Sequence, residues 1–150
     1  MDMSDVLERL RRLAEELEYL RGKRAEAPTI EKFIQNQDLR KQIEYSLQIS
    51  TQICIDIANY FISYFGLNPE RLEGLYTVLA REKLLPEVLA QWLSASVRFR
   101  NIIVHRYLIV DPVKVYGVWQ NETGRFDEFA KIVEKWVEQA QADEQAEEQQ

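Results

Sequence analysis

The chain has 150 residues, of which 46% are hydrophobic and 29% charged, with a formal net charge of −6, and this is typical of one globular domain with a sizeable core. A single cysteine, Cys54, and a single histidine, His105, exclude an internal disulfide and a zinc site built on several thiolates or imidazoles. Because no stretch approaches the roughly 18 apolar residues of a membrane span, we expect a cytoplasmic protein without a metal or cofactor.

The first predicted helix covers residues 4–21. Ser4 is expected to cap its start and Gly22 to end it. Its apolar residues recur at steps of four and three, which places them in one stripe: Val6, Leu10, Leu13, Leu17 and Leu20. This stripe fits the packing face of a bundle, and it also fits the dimerisation seam of a helical adaptor.

A short helix capped by Thr29 is predicted next, followed by a long and central one from about Asp38 to Phe65 with apolar stripes on two sides. Cys54 lies in one stripe, so we interpret it as a buried small hydrophobic residue and not as a nucleophile. Asp56 lies in the other, where a carboxylate costs free energy unless it is paired. It is expected to form a structural salt bridge, to lie at the helix edge, or to orient Arg100 or His105.

Four more helices are predicted towards the carboxyl end. Asn68 and Pro69 start one that ends near Arg81, and Pro86 opens another that runs into the segment around His105. Asp111 and Pro112 start a short helix to about residue 120, and the last covers residues 125–139. Since no segment has the alternation of a β-strand, the sequence predicts an all-α protein.

The charge is unevenly distributed along the chain. Residues 138–150 carry five acidic residues and no basic one, so the remainder is close to neutral. The segment from Val88 to Val110 has no acidic residue but contains Arg98, Arg100 and Arg106. Phosphate binding normally uses such an excess of arginine. The basic segment around His105 is therefore the candidate region for contact with nucleic acid.

The segment RNIIVHRY, residues 100–107, contains residue types that suit RNA cleavage without a metal. An imidazole transfers protons near neutral pH, and a guanidinium offers a rigid fork of donors to phosphate oxygens. Arg100 and His105 are five residues apart, about 140° around an ideal helix. They converge only if the helix loosens near His105 or if a second copy supplies the other side of a cleft. By chemistry alone, a lone histidine between arginines is more often a surface or cap residue.

The same segment resembles the R-x4-H-x-Y signature of the HepT toxins, members of the HEPN superfamily of small all-helical ribonucleases. Arg100, Asn101, His105 and Tyr107 match the arginine, the polar residue after it, the histidine and the tyrosine. The preceding helix, IEYSLQISTQICIDIANYFIS, and the YLIVDP turn fit as well. The resemblance implies an antiparallel HEPN-type bundle of about five to seven helices over residues 1–138, with 139–150 as an acidic tail expected to be disordered.

The resemblance implies a metal-independent endoribonuclease, the toxin of a type VII toxin–antitoxin system. Arg100 and His105 would be catalytic, with Asn101, Asp56 and Arg106 in support. Such toxins usually act as homodimers whose two motifs face one cleft, here on a tRNA or mRNA substrate. The implied antitoxin is an MntA-like nucleotidyltransferase that blocks the toxin by transferring AMP from ATP to Tyr107. Arg106 departs from the pattern, since an acidic or variable residue is expected there.

Two other functions remain open on the sequence. A non-catalytic HEPN-type module could bind a nucleotidyltransferase or RNA and present Tyr107 only for regulation. A plain helical adaptor could dimerise through the first helix, with the motif incidental. Substitution of His105 by alanine distinguishes the three functions. The ribonuclease loses cleavage, the non-catalytic module keeps its binding of RNA or of the nucleotidyltransferase, and the adaptor shows no change in any nucleic-acid assay.

Overall fold

The computed structural model describes residues 1–69 and 74–150. In these residues the chain forms helices joined by short connections, and no strand occurs, so the all-α prediction is confirmed. The helices are α1 (Met3–Gly22), α2 (Ile30–Gln35), α3 (Gln37–Tyr64), α4 (Leu75–Arg81), α5 (Glu87–His105), α6 (Pro112–Asn121) and α7 (Gly124–Glu148). The sequence predicts a fourth helix from Pro69, but α4 begins at Leu75 after the N-cap Gly74, and residues 70–73 of that prediction lie outside the described residues.

The start of α1 differs from the prediction. Asp2, and not Ser4, is the N-cap: its side chain accepts a hydrogen bond from the backbone N–H of Asp5 at 3.1 Å. The Asp5 carboxylate accepts in return from the N–H of Asp2 at 2.7 Å, which completes a capping box. A carboxylate is favoured at this position because it also interacts with the positive end of the helix dipole. Ser4 instead donates to the Asp2 side chain at 2.6 Å.

α3 and α4 end in the same hydrogen-bonded turn. After α3, the backbone N–H of Leu67 donates to the carbonyl of Ile62 at 2.9 Å, and Gly66 takes the left-handed conformation with φ 68°. After α4, the equivalent position is occupied by Lys83 with φ 61°. A residue with a Cβ is strained in this conformation, whereas glycine is not. The turn at Lys83 therefore holds more strain than the turn at Gly66.

The core is arranged around α3, which contacts each of the other six described helices. The predicted central position of this helix is confirmed. The apolar stripe that contains Cys54 is buried apart from its last member, Tyr64, which is exposed. Each fully buried Leu, Ile or Phe side chain contributes roughly 1.5–3 kcal/mol. The buried members of the stripe are Ile43, Leu47, Ser50, Cys54, Ile57 and Phe61.

Trp119 fixes α6 against the end of α1. Its ring is fully buried, and its Nε1 donates to the backbone carbonyl of Leu20 at 2.6 Å. Arg24 reaches across to Thr123, donating from Nη2 to Oγ1 at 2.7 Å. Carbonyls in the last turn of a helix have no partner within the helix, so Trp119 satisfies one of them. These contacts hold α6 in place, and with it the connection from α5.

The acidic tail is helical in the structure, which differs from the expected disorder of residues 139–150, because α7 continues to Glu148. Glu, Gln and Ala are good helix formers, and Gln139 donates to the Asp143 carboxylate at 2.9 Å across one turn. The hydroxyl of Tyr64 donates to the same carboxylate at 2.9 Å. α7 is thereby joined to the end of α3. Among the described residues, no helix combines the length and the apolar character that a membrane span requires.

Candidate functional site

The motif segment lies where α5 ends. The helix continues through His105, and Arg106 leaves it with φ −133° and ψ 46°. The N–H of Arg106 still donates to the carbonyl of Ile102 at 2.8 Å, and its carbonyl accepts from Ile109 at 2.9 Å. The chain then forms a 3-10 turn over Tyr107–Ile109. The helix thus loosens at Arg106, and His105 lies in the last turn of α5.

Arg100 is half-buried, about one turn before the end of α5. Its Nη1 donates to Oδ1 of Asn101 at 2.9 Å. Its Nε is buried and has no hydrogen-bond partner among the described residues. A buried donor without a partner costs free energy, more so when it belongs to a charged group. An acceptor that reaches Arg100 would therefore be bound more strongly than at an ordinary surface arginine.

His105, Arg106 and Tyr107 are exposed and together line a shallow surface depression with Leu108 and Ile109. Tyr107 is 73% exposed, so its hydroxyl is open to solvent and to other molecules. In the part of the chain that is described, Arg100 and His105 form no hydrogen bond with each other. Within one chain, Arg100 is thus hydrogen-bonded to Asn101, and His105 lines the depression together with Arg106 and Tyr107.

The positive charge of this region is not neutralised by carboxylates. Within residues 1–69 and 74–150, Arg98, Arg100 and Arg106 form no ion pair. The arginines of α1 differ, since Arg11 and Arg12 pair with Glu15 and Glu16 at 2.6 and 3.0 Å. The end of α5 is thus a locally basic surface on a chain of net negative charge, as the sequence predicts.

Asp56 lies away from these groups, in contact with α1. Its Oδ2 lies 3.4 Å from Nε of Arg9, and its Oδ1 accepts a hydrogen bond from Nε2 of Gln52 at 2.8 Å. These contacts correspond to the structural salt bridge among the three possibilities considered for Asp56. Among the described residues, the structure records no contact of Asp56 with Arg100 or His105, and an orienting role stays a prediction without geometric support.

Cys54 is fully buried, and burial raises the pKa of its thiol because the thiolate would lose its hydration. The interpretation as a small hydrophobic residue is therefore confirmed. Among the described residues, no cluster of three or more His, Cys, Asp or Glu side chains is placed to hold a metal ion.

Sequence reasoning missed an exposed apolar surface beside the motif. Leu108, Ile109 and Val113 are 86%, 61% and 60% exposed. A run such as YLIV would ordinarily be assigned to the core by its hydrophobicity. Isolated exposed apolar residues are common, but neighbouring ones that rim a depression are typical of interaction sites. The position of this run directly after the motif is the sequence feature that points to an exposed apolar surface here.

Comparison with known proteins decides the family. The family described as Ribonuclease HepT-like matches residues 3–133, a span that includes the motif. The chain belongs to the HepT-like family. It is also 30% identical to the mRNA nuclease HepT of Shewanella oneidensis over 102 residues, which is 67% of this chain and 77% of that relative.

Solved structures share the HepT-like fold. A chain of the tri-AMPylated Shewanella oneidensis HEPN toxin in complex with MNT antitoxin matches with a TM-score of 0.72 at 25% identity, over 90% of this chain and 99% of that chain. YutE of Bacillus subtilis, a cytosolic protein of unknown function, matches with a TM-score of 0.77 at 18% identity, over 93% of each chain. The second likeness shows the fold alone, since one fold hosts many functions. The HEPN-type helical bundle is confirmed.

Proposed function

We propose that this chain is a metal-independent endoribonuclease toxin of a type VII toxin–antitoxin system, with Arg100 and His105 as its catalytic residues. The observation that carries the proposal is the guanidinium of Arg100, which among the described residues has no carboxylate partner and a buried Nε without an acceptor, on the same helix end as exposed His105. Membership of the HepT-like family supports the same class of reaction.

The chemistry requires a base, an acid and a positive charge. The ribose 2′-oxygen forms a bond to the adjacent phosphorus while the bond from phosphorus to the 5′-oxygen breaks. One imidazole removes the 2′-hydroxyl proton, and a protonated group supplies a proton to the departing 5′-oxygen. The guanidinium of Arg100 stabilises the negative charge that develops on the non-bridging oxygens. Arg106 adds a second positive charge that favours binding of the RNA backbone.

Two copies of the chain would supply both proton-transfer groups. Each chain contains only one histidine, so a cleft between two copies can use one His105 as base and the other as acid. The exposed residues Leu108, Ile109 and Val113 lie beside the motif and offer an apolar surface for the second copy to cover.

Tyr107 is the proposed site of the adenylylation that neutralises the toxin. Its hydroxyl oxygen would form a bond to the α-phosphorus of ATP, with pyrophosphate as the leaving group, on an MntA-like nucleotidyltransferase antitoxin. The 73% exposure of Tyr107 leaves the hydroxyl open to such an enzyme. The attached adenylate would add bulk and negative charge two residues from His105, where an anionic RNA must bind. RNA binding would therefore be blocked at the motif itself.

Mass spectrometry of the intact protein tests this regulation. The protein is produced with and without the nucleotidyltransferase encoded beside it, and Tyr107→Phe is the matched control. We expect mass gains in whole multiples of one AMP residue, mapped to Tyr107 and lost in Tyr107→Phe. If Tyr107 stays unmodified in the presence of an active nucleotidyltransferase, neutralisation by adenylylation is excluded. The antitoxin would then inhibit the ribonuclease by binding alone.

A non-catalytic binding module is the second candidate. It is favoured by the absence of a hydrogen bond between Arg100 and His105 among the described residues of one chain. In that case His105→Ala keeps its affinity for RNA or for the nucleotidyltransferase, and the unsubstituted protein releases no cleavage product. Growth inhibition on expression that disappears with Arg100→Ala or His105→Ala favours the ribonuclease instead.

A further inference from the structure

A cavity of about 140 Å³ lies between α3, α5, α6 and the start of α7. Neither Arg100 nor His105 lines it, so it is separate from the motif. It lies next to the motif in the chain, however, because its α5 wall ends at Phe99 and its α6 wall includes Lys114. The side chains that form most of its wall are Leu47, Trp92, Ala95, Phe99, Val118 and Phe126.

The cavity is a poor site for water. A buried water needs about two to four polar partners. Among the described residues, Thr51 and Lys114 form no hydrogen bond, but the other polar side chains of this wall already have partners. The hydroxyl of Ser96 donates to the carbonyl of Leu93 at 2.6 Å, and the Glu122 carboxylate accepts from Nε1 of Trp92 at 2.8 Å. The surroundings are mainly aromatic edges and aliphatic groups, and Trp92 lies edge-on to Phe126 at 5.0 Å between ring centroids. An apolar ligand therefore fits this space better than water does.

One lining residue carries a charge that no carboxylate neutralises. Lys114 is exposed, and its Nζ lies 5.6 Å from the centroid of the Phe99 ring. Among the described residues, Lys114 forms no ion pair, and the Glu122 carboxylate is engaged by Trp92. An anionic group that accompanies the apolar ligand would find its partner at Lys114.

We propose that this cavity binds a small aromatic carboxylate, with the ring inside and the carboxylate on Nζ of Lys114. The size fits, since an engineered apolar cavity of about 150 Å³ binds benzene. The ring edges of Trp92, Phe99 and Phe126 offer contacts that aromatic ligands favour. Bound in this way, the ligand bridges α5 and α6, the two helices that hold the turn with Tyr107.

Benzoate is the probe, titrated into the full chain and followed by NMR chemical shifts and calorimetry. Benzyl alcohol, which has the ring without the charge, is the neutral comparison. Lys114→Gln is expected to weaken benzoate binding by about tenfold, because a charge-assisted hydrogen bond is lost, and to leave benzyl alcohol binding unchanged. Ala95→Leu and Val118→Phe, which fill the cavity from two different helices, are expected to abolish binding of both compounds.

Thermal unfolding first establishes that each variant is folded, and Lys114→Gln changes only an exposed side chain. The absence of saturable benzoate binding to the unsubstituted protein overturns the proposal. Benzoate binding that survives in the folded cavity-filling variants also overturns it, because the ligand then lies elsewhere. If Lys114→Gln binds benzoate with unchanged affinity, Lys114 does not bind the carboxylate, and the proposed ligand class is wrong. A benzoate affinity that falls with protein concentration identifies a second copy as the occupant instead.

Discussion

The guanidinium of Arg100 donates from Nη1 to Oδ1 of Asn101 at 2.9 Å, so the residue after the arginine holds its side chain in place. We expect Asn101→Ala to lower RNA cleavage at saturating substrate by about tenfold, since Arg100 keeps its charge but loses its orientation. The KM for RNA should change little. Arg100→Ala should cost more, because it removes the charge as well. Steady-state cleavage of a labelled RNA measures both effects.

Asn59 provides the control for this substitution, because it is an exposed asparagine on the surface of α3. Asn59→Ala should cleave RNA as fast as the unsubstituted protein. Asn101→Asp keeps the acceptor for Arg100 but adds a negative charge, so it should raise the KM for RNA. Equal kcat values for Asn101→Ala and the unsubstituted protein would show that Asn101 does not position Arg100.

Lys83 occupies a left-handed position that suits glycine. Lys83→Gly should stabilise the protein by about 0.5–1 kcal/mol, because the strain of a Cβ at positive φ outweighs the greater freedom of glycine in the unfolded chain. Gly66→Ala is the matched reverse substitution, and it should destabilise by about 1 kcal/mol. Urea denaturation should show the two midpoints moving in opposite directions at unchanged m. A lower midpoint for Lys83→Gly would mean that the lysine side chain stabilises the turn.

Trp119 donates to the backbone carbonyl of Leu20 at 2.6 Å inside the core. Trp119→Phe should lower the free energy of unfolding by about 1–3 kcal/mol, because the buried carbonyl loses its donor. Trp92→Phe also loses a hydrogen bond, to Glu122, but Trp92 is only half-buried and the carboxylate can be rehydrated. It should cost less than about 1 kcal/mol. Equal losses in urea denaturation would contradict this ranking.

Cys54 should resist alkylation in the folded protein. At about pH 8.5, near the ordinary pKa of a thiol, iodoacetamide should label Cys54 only after unfolding, because burial raises the pKa of the thiol and shields it. The raised pKa contributes stability below about pH 8.5, where the thiol of the unfolded chain is also protonated. That contribution is lost as the pH rises further, because only the unfolded thiol ionises. Rapid labelling under native conditions would show that α3 opens locally.

Local signals in the sequence correctly predict where several helices begin. Thr29 and Asp111 cap α2 and α6 as predicted, because a cap depends on residues three or fewer positions away. The N-cap of α1 is Asp2 and not the predicted Ser4, because two capping residues compete there and the carboxylate also interacts with the helix dipole. The high charge of the acidic tail favours disorder, whereas its Glu, Gln and Ala residues favour the helix that the structure shows.

Features that depend on several helices could not be predicted in the same way. The ion-pair partner of Asp56 is Arg9, 47 positions away, and nothing in a one-dimensional pattern selects it. The cavity beside Phe99 requires four elements to be placed together. The exposure of Leu108 follows from the helix ending at His105, which hydrophobic periodicity does not reveal. The motif, in contrast, is visible in the sequence because its residues lie close together, within residues 100–107.

Cleavage of RNA by His105→Ala in the presence of EDTA tests the central claim most directly. The unsubstituted protein should cleave a single-stranded RNA in EDTA, and His105→Ala, with the same thermal stability and the same oligomeric state, should not. His105 is exposed at the end of α5, so its removal leaves the core intact. A His105→Ala protein that cleaves at the rate of the unsubstituted protein would contradict the account.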